Sequence, residues 1–127
     1  MAFFLEMKST YATPYVLIDE KKHYMKMEGM CFHENIIDFF KDIIHWLESY
    51  LDSDIFEKLV FDCNVRYFNS SSSKILFDMF YLMNSHALDG KDIVVNWIMN
   101  KDDDMLAELY SEIENDYTNL TFHMVFS

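Results

Sequence analysis

Residues 58–74 read KLVFDCNVRYFNSSSSK, and a change of rhythm within them sets the architecture. From Lys58 to Phe68 apolar and mixed positions alternate. Leu59, Phe61, Cys63, Val65 and Tyr67 share one face; Val60, Asp62, Asn64, Arg66 and Phe68 share the other. A period of two marks a strand, and one apolar face against one mixed face predicts a sheet covered mainly on one side. Asn69 and the serines 70–73 end the alternation. Asn and Ser are favoured helix N-caps, because their side-chain oxygens accept from the unpaired N–H groups of a first turn. A helix over Lys74–Ala87 follows, with Ile75, Leu76, Met79, Phe80, Leu82 and Met83 apolar. Asp89-Gly90 closes it with a residue free to turn left-handed.

The same reading extends in both directions. Upstream, Tyr15–Asp19 and His23–Glu28 form an expected antiparallel hairpin about the polar turn Glu20-Lys21-Lys22. Met25 and Met27 take one side of the second strand, and Tyr24, Lys26 and Glu28 the other. Glu34–Leu51 has helical spacing, with Ile36, Ile37, Phe40, Ile43, Ile44, Leu47 and Leu51 in one wide apolar stripe. Downstream, Asp92–Met99 sets Ile93, Val95, Trp97 and Met99 on one face of a strand. The charged turn Lys101–Asp104 places acids where a helix start favours them, and that helix runs to about Asn115. Leu120, Phe122, Met124 and Phe126 alternate in a last strand. The order β-β-α-β-α-β-α-β predicts an α/β fold: a single mixed, largely parallel sheet of about five strands with helices mainly on one face. Nothing in residues 1–127 reads as a linker or an internal repeat, so one domain is expected.

The composition narrows function by exclusion. With 51% hydrophobic residues, two Gly and one Pro, the chain can fill a core and offers little for a loop-built enzyme site. A net charge of −12 repels phosphate backbones and anionic lipid heads, so neither nucleic acid nor a membrane is an expected partner. A basic patch on a protein partner suits it better. Cys31 and Cys63 are too few and too far apart for a disulfide framework or a zinc site, and both are expected reduced. Residues 1–10 lack a basic start and a cleavage site, and no apolar run spans a bilayer, so the expected location is cytoplasmic. The five histidines have no metal-ligand spacing. Asp102-Asp103-Asp104 lacks the Gly and the later Glu of a calcium loop. There is no phosphate-binding glycine loop and no nucleophile elbow. Hence no catalytic residue, metal or cofactor is expected.

One local feature remains, the run from Tyr67 to Lys74. One reading is an over-supplied helix cap in a structural or small-ligand-binding module. The other is a modification site. A phosphate on a hydroxyl at this strand-to-helix turn would meet backbone N–H groups and the positive end of the helix dipole, with Lys74 one turn away.

Ordered along the chain, several stretches resemble the SiaC-type regulatory phosphoproteins of a bacterial biofilm pathway. Thr13-Pro14-Tyr15-Val16 resembles the family's start. His33-Glu34-Asn35 with Phe39-Phe40 resembles its Pro-Glu-Asn and Phe-Phe signature, and Trp46-Leu47 with Tyr50-Leu51 its Trp-Leu and Tyr-Leu pair. Tyr67-Phe68-Asn69-Ser70 through Lys74 resembles its Tyr-Phe-Asn-Thr-Ser-Ser-Ser-Lys stretch, and Trp97 with the acidic Asp102–Glu108 its late Trp and acidic run. The resemblance implies a fold related to the anti-sigma-factor-antagonist (STAS) domain. It implies a non-enzymatic partner switch, phosphorylated by a serine/threonine kinase, reversed by a metal-dependent phosphatase, and binding a target such as a diguanylate cyclase when unphosphorylated. In register, Ser70 takes the acceptor position, with Ser71 as second choice and Asn69, Ser71, Ser72 and Lys74 surrounding the phosphate. His33 stands where the family has Pro, and Ser70 where it has Thr, which keeps the hydroxyl.

Overall fold

The structure is a computed structural model that describes residues 2–127. Its elements are β1 (Phe4–Met7), β2 (Tyr15–Asp19), β3 (Tyr24–Cys31), α1 (Ile36–Asp52), β4 (Lys58–Phe68), α2 (Ser70–Leu88), β5 (Asp92–Met99), α3 (Asp104–Asp116) and β6 (Thr121–Phe126). All six strands join one sheet in sequence order, β1-β2-β3-β4-β5-β6. β1, β2 and β3 pair antiparallel, and β3 through β6 run parallel. The fold is the α/β class expected, with six strands where about five were. The extra one is β1, four residues at the sheet edge. Its Glu6 faces the open side and accepts a hydrogen bond from the Tyr15 hydroxyl at 2.5 Å.

Each parallel crossover moves one strand further in the same direction. Right-handed connections therefore lay α1, α2 and α3 on the same face of the sheet. On that face Val16, Ile18, Met25, Met27, Leu59, Phe61, Cys63, Val65, Ile93, Val95, Trp97 and Met99 are buried. Among the described residues no helix lies over the opposite face. There Asp62 is half-buried and accepts from the Tyr24 hydroxyl at 2.6 Å and from Asn96 Nδ2 at 2.8 Å, while Lys26 and Glu28 pair at 3.0 Å.

Two details differ from the alternation and the stripe read in the sequence. In α1, Ile37 is 77% exposed and Ile44 only half-buried, while Trp46 and Tyr50 enter the core. The apolar stripe is rotated because these two aromatics bury their rings and still satisfy their polar tips. Trp46 Nε1 donates to Glu20 at 3.0 Å, and the Tyr50 hydroxyl donates to the Lys58 carbonyl at 2.9 Å beside His23 Nδ1 at 2.7 Å. In β4 the pairing with β3 shifts register after Gly29, whose φ of 124° belongs to the left-handed side that glycine tolerates. Arg66 is left as the extra residue of a bulge, so Tyr67 points outward and Phe68 inward, the reverse of the strict alternation. α1 and α2 are tied at their far ends, where His86 Nε2 meets Asp52 Oδ1 at 2.7 Å and Lys91 Nζ donates to the Leu51 carbonyl. That histidine contact holds the Asp52 carboxyl below the ordinary carboxylate range.

Candidate functional site

The parallel strands end at the side of the sheet where β4 passes into α2 without a loop. Asn69 is the N-cap: its backbone is extended and its Oδ1 accepts from Ser72 N at 2.9 Å. Its amide also donates to the Phe32 carbonyl at 3.2 Å, which locks the turn to the loop after β3. The helix starts at Ser70, four residues earlier than the spacing of apolar residues indicates, so all four serines lie in its first turn. Ser73 N donates to the Asn69 carbonyl at 2.9 Å. The N–H groups of Ser70 and Ser71 have no acceptor among the described residues. They are the orphan donors that every helix start leaves.

Helical geometry then separates four identical side chains. Ser70 and Ser71 are exposed, Ser73 is half-buried, and Ser72 is 1% exposed. The Ser72 hydroxyl points into the core, where its one polar neighbour is the weakly bonding Cys31 thiol. Lys74, one turn beyond Ser70, is exposed and belongs to none of the ion pairs among the described residues. The turn thus presents two accessible hydroxyls, two free backbone donors, a helix N-terminus and one cation. An anion attached here is favoured by roughly 0.3–1 kcal/mol through the dipole.

Two aromatic neighbours escaped the sequence reading. Tyr11 lies in the loop after β1, where Thr10 Oγ1 accepts from Ala12 N at 3.2 Å and Thr13 N at 3.0 Å. The Ala12 carbonyl in turn accepts from Phe32 N at 2.9 Å and His33 N at 3.1 Å. These ties set the rings of Tyr11, Phe32 and Tyr67 in an edge-to-face series, with centroids 5.9 and 6.0 Å apart. A Tyr preceding a Thr-Pro pair and a Phe after a strand give no local signal of this, since the contact is long-range. On the other side of the turn, a crevice of about 210 Å³ between α2 and α3 is lined by Tyr67, Ser73, Met105 and Leu109 among others.

Both cysteines are held as thiols. Burial pushes the Cys31 thiol up, although the Ser72 hydroxyl beside it opposes the rise, and burial pushes Cys63 to about 12. Neither is a thiolate at neutral pH. Among the described residues no group of three or more His, Cys, Asp or Glu side chains is placed to hold a metal ion. No helix among them is long and apolar enough to cross a membrane.

Comparison with known proteins places the chain and its fold. Residues 7–127 match the SiaC family regulatory phosphoprotein model. A protein of Pseudomonas aeruginosa strain UCBPP-PA14 that carries no assigned activity is 28% identical over 112 residues, 88% of each chain. Crystalline apo-SiaC from Pseudomonas aeruginosa superposes with a TM-score of 0.87 at 27% identity, covering 97% of this chain and 98% of that one. SiaC of the same organism, crystallised with the diguanylate cyclase SiaD that it activates, superposes at 0.90 with 26% identity over 97% and 99%. With the family model matched over residues 7–127 and the SiaC fold superposing over nearly the whole chain, this chain belongs to the SiaC family of regulatory phosphoproteins.

Proposed function

We propose that this chain is a cytoplasmic, single-domain partner switch that catalyses nothing itself. Phosphorylation on Ser70 by a serine/threonine kinase turns binding of a diguanylate cyclase off, and a metal-dependent phosphatase restores it. The observation that carries this reading is the exposed Ser70 hydroxyl at the first residue of α2, beside two free backbone N–H donors and one turn from Lys74. Folding tolerates a phosphate there. A partner fitted to a neutral hydroxyl does not, because a dianion pressed into an interface loses hydration without a matching donor, at a cost of several kcal/mol. The relative that activates a cyclase supports the choice of target.

The helix-cap reading is weakened by a specific contact. Asn69 supplies the cap through its own side chain, so the exposed hydroxyls of Ser70 and Ser71 are not needed for it. The test is phosphosite mapping by mass spectrometry after incubation with ATP and a cognate serine/threonine kinase. One phosphate is expected on Ser70, absent from Ser70→Ala. Phosphate on Ser71 would move the acceptor by one residue and keep the switch. A turn that accepts no phosphate would end the proposal.

A further inference from the structure

We infer that β6 is a self-association edge, on which a second copy of this chain adds its own β6 to make one continuous sheet. β6 closes the sheet on one side, with no strand beyond it among the described residues. Ser127 N donates inward to the Met99 carbonyl at 2.9 Å, so the alternation of the strand turns the N–H and C=O groups of Phe122, Met124 and Phe126 outward. None of these groups has a partner among the described residues. Such a free ladder is ordinarily blunted by a charge, a Pro, a bulge or a very short strand. The other edge follows that rule, since β1 has four residues and one of them is Glu6. β6 does not. Its six residues Thr121–Phe126 hold no Asp, Glu, Lys, Arg or Pro, and its pairing with β5 runs without a register shift.

Charge and symmetry select the occupant. A net charge of −12 makes most of the surface repel a second copy. At this end of the open face, however, the pairs Val94–Thr121, Asn96–His123 and Ile98–Val125 hold no carboxylate and no Lys or Arg. Two copies of a strand related by a two-fold axis run antiparallel. An axis centred on Met124 pairs Met124 with itself and Phe122 with Phe126 of the second copy, and every outward N–H and C=O then finds a partner. On the helix side, Phe122 packs against the rings of Phe80 and Tyr110, while Phe126 is 60% exposed. The pairing sets each Phe126 against Phe122 of the other copy and carries that aromatic cluster across the seam. On the open face Val125, 43% exposed, comes opposite His123 of the other copy. The two α3 helices hold no Lys or Arg and share one face of the joined sheet, so their repulsion keeps the association weak and salt strengthens it. The serine turn follows β4, two strands from the seam, so the pair carries two accessible turns.

The test is sedimentation and amide hydrogen exchange of the unphosphorylated chain alone, from about 10 μM to about 1 mM, the range suited to a weak strand-edge contact. The sedimenting mass is expected to rise toward that of two chains. The amides of Phe122, Met124 and Phe126 are expected to exchange at least threefold more slowly at the high concentration, while those of Thr121, His123 and Val125, which face β5, change little. Val125→Lys is expected to stay monomeric with an unchanged melting temperature, and Phe4→Lys on β1 to associate like the wild type. Added salt is expected to strengthen association of the wild-type chain. A chain that is monomeric throughout the range would overturn the inference. So would association that leaves the three outward amides unprotected, that salt weakens, or that Phe4→Lys abolishes and Val125→Lys keeps.

Discussion

Ser72 carries the same hydroxyl as Ser70 and Ser71 but none of their access. Its oxygen is buried with no partner better than the weakly bonding Cys31 thiol. A buried polar group left unpaired costs free energy, and Ala is the better helix former by about 0.5 kcal/mol. Ser72→Ala is therefore expected to raise stability by roughly 0.5–1 kcal/mol in urea denaturation. A loss of similar size would show that the hydroxyl has a partner. Ser70→Ala changes an exposed side chain and is expected to move stability by less than about 0.5 kcal/mol. The run of serines was visible in the sequence as a helix start, and its neighbours Asn69 and Lys74 with it. Which serine faces outward was not, because that depends on where the first helical residue falls, and four consecutive serines leave the start undefined. Tyr11 and Phe32 were invisible for a different reason: their contacts join residues more than twenty positions apart.

At the level of elements, α2 depends on one cap. Asn69 accepts from Ser72 N and donates to the Phe32 carbonyl, so it joins the helix to the loop after β3. Asn69→Ala is expected to cost about 1–2 kcal/mol. Asn69→Asp keeps the acceptor and puts a negative charge at the helix start, losing only the donor to Phe32, so thermal denaturation should rank it between wild type and Asn69→Ala. Equal loss in both variants would place the whole effect in the Phe32 contact. The long strands and helices were legible because each has a period: Lys58–Val65, Asp92–Met99 and the core side of β3 bury the residues that their alternation selects. The period fails where the backbone departs from it. The bulge at Arg66 exchanges Tyr67 with Phe68, and β1 offers only four residues, too few to establish alternation. In α1 a stripe counted from Ile, Leu and Phe missed the buried rings of Trp46 and Tyr50.

Across the whole molecule, several acids are held in their protonated forms. Burial, aided by nearby carboxylates, pushes Tyr50 and Tyr110 to about 12 and raises Tyr24 and Tyr117. The Glu6 hydrogen bond raises Tyr15, and burial raises Cys63 to about 12. In each case the folded state holds the proton more tightly than the unfolded chain. Their contribution to stability is complete below the ordinary values, about 9 for the thiol and about 10 for the phenols, and is lost as pH climbs through the raised ones. Melting temperature at constant ionic strength is expected to be level from pH 7 to about 9 and to fall steadily from about 9.5 to 11.5. A level profile through that upper range would mean that these groups ionise freely in the fold. The fold in turn brings the turn at α2, the ring series and the acid-rimmed crevice to one end of the sheet, leaving the other end to the ties between α1 and α2. The most direct measurement is calorimetric titration of the diguanylate cyclase with three forms of this chain: unmodified, phosphorylated on Ser70, and Ser70→Ala treated with kinase. The unmodified and Ser70→Ala forms should bind alike, and the phosphorylated form at least about 100-fold more weakly, equivalent to roughly 2.7 kcal/mol. Equal affinity of the phosphorylated and unmodified forms would contradict the switch.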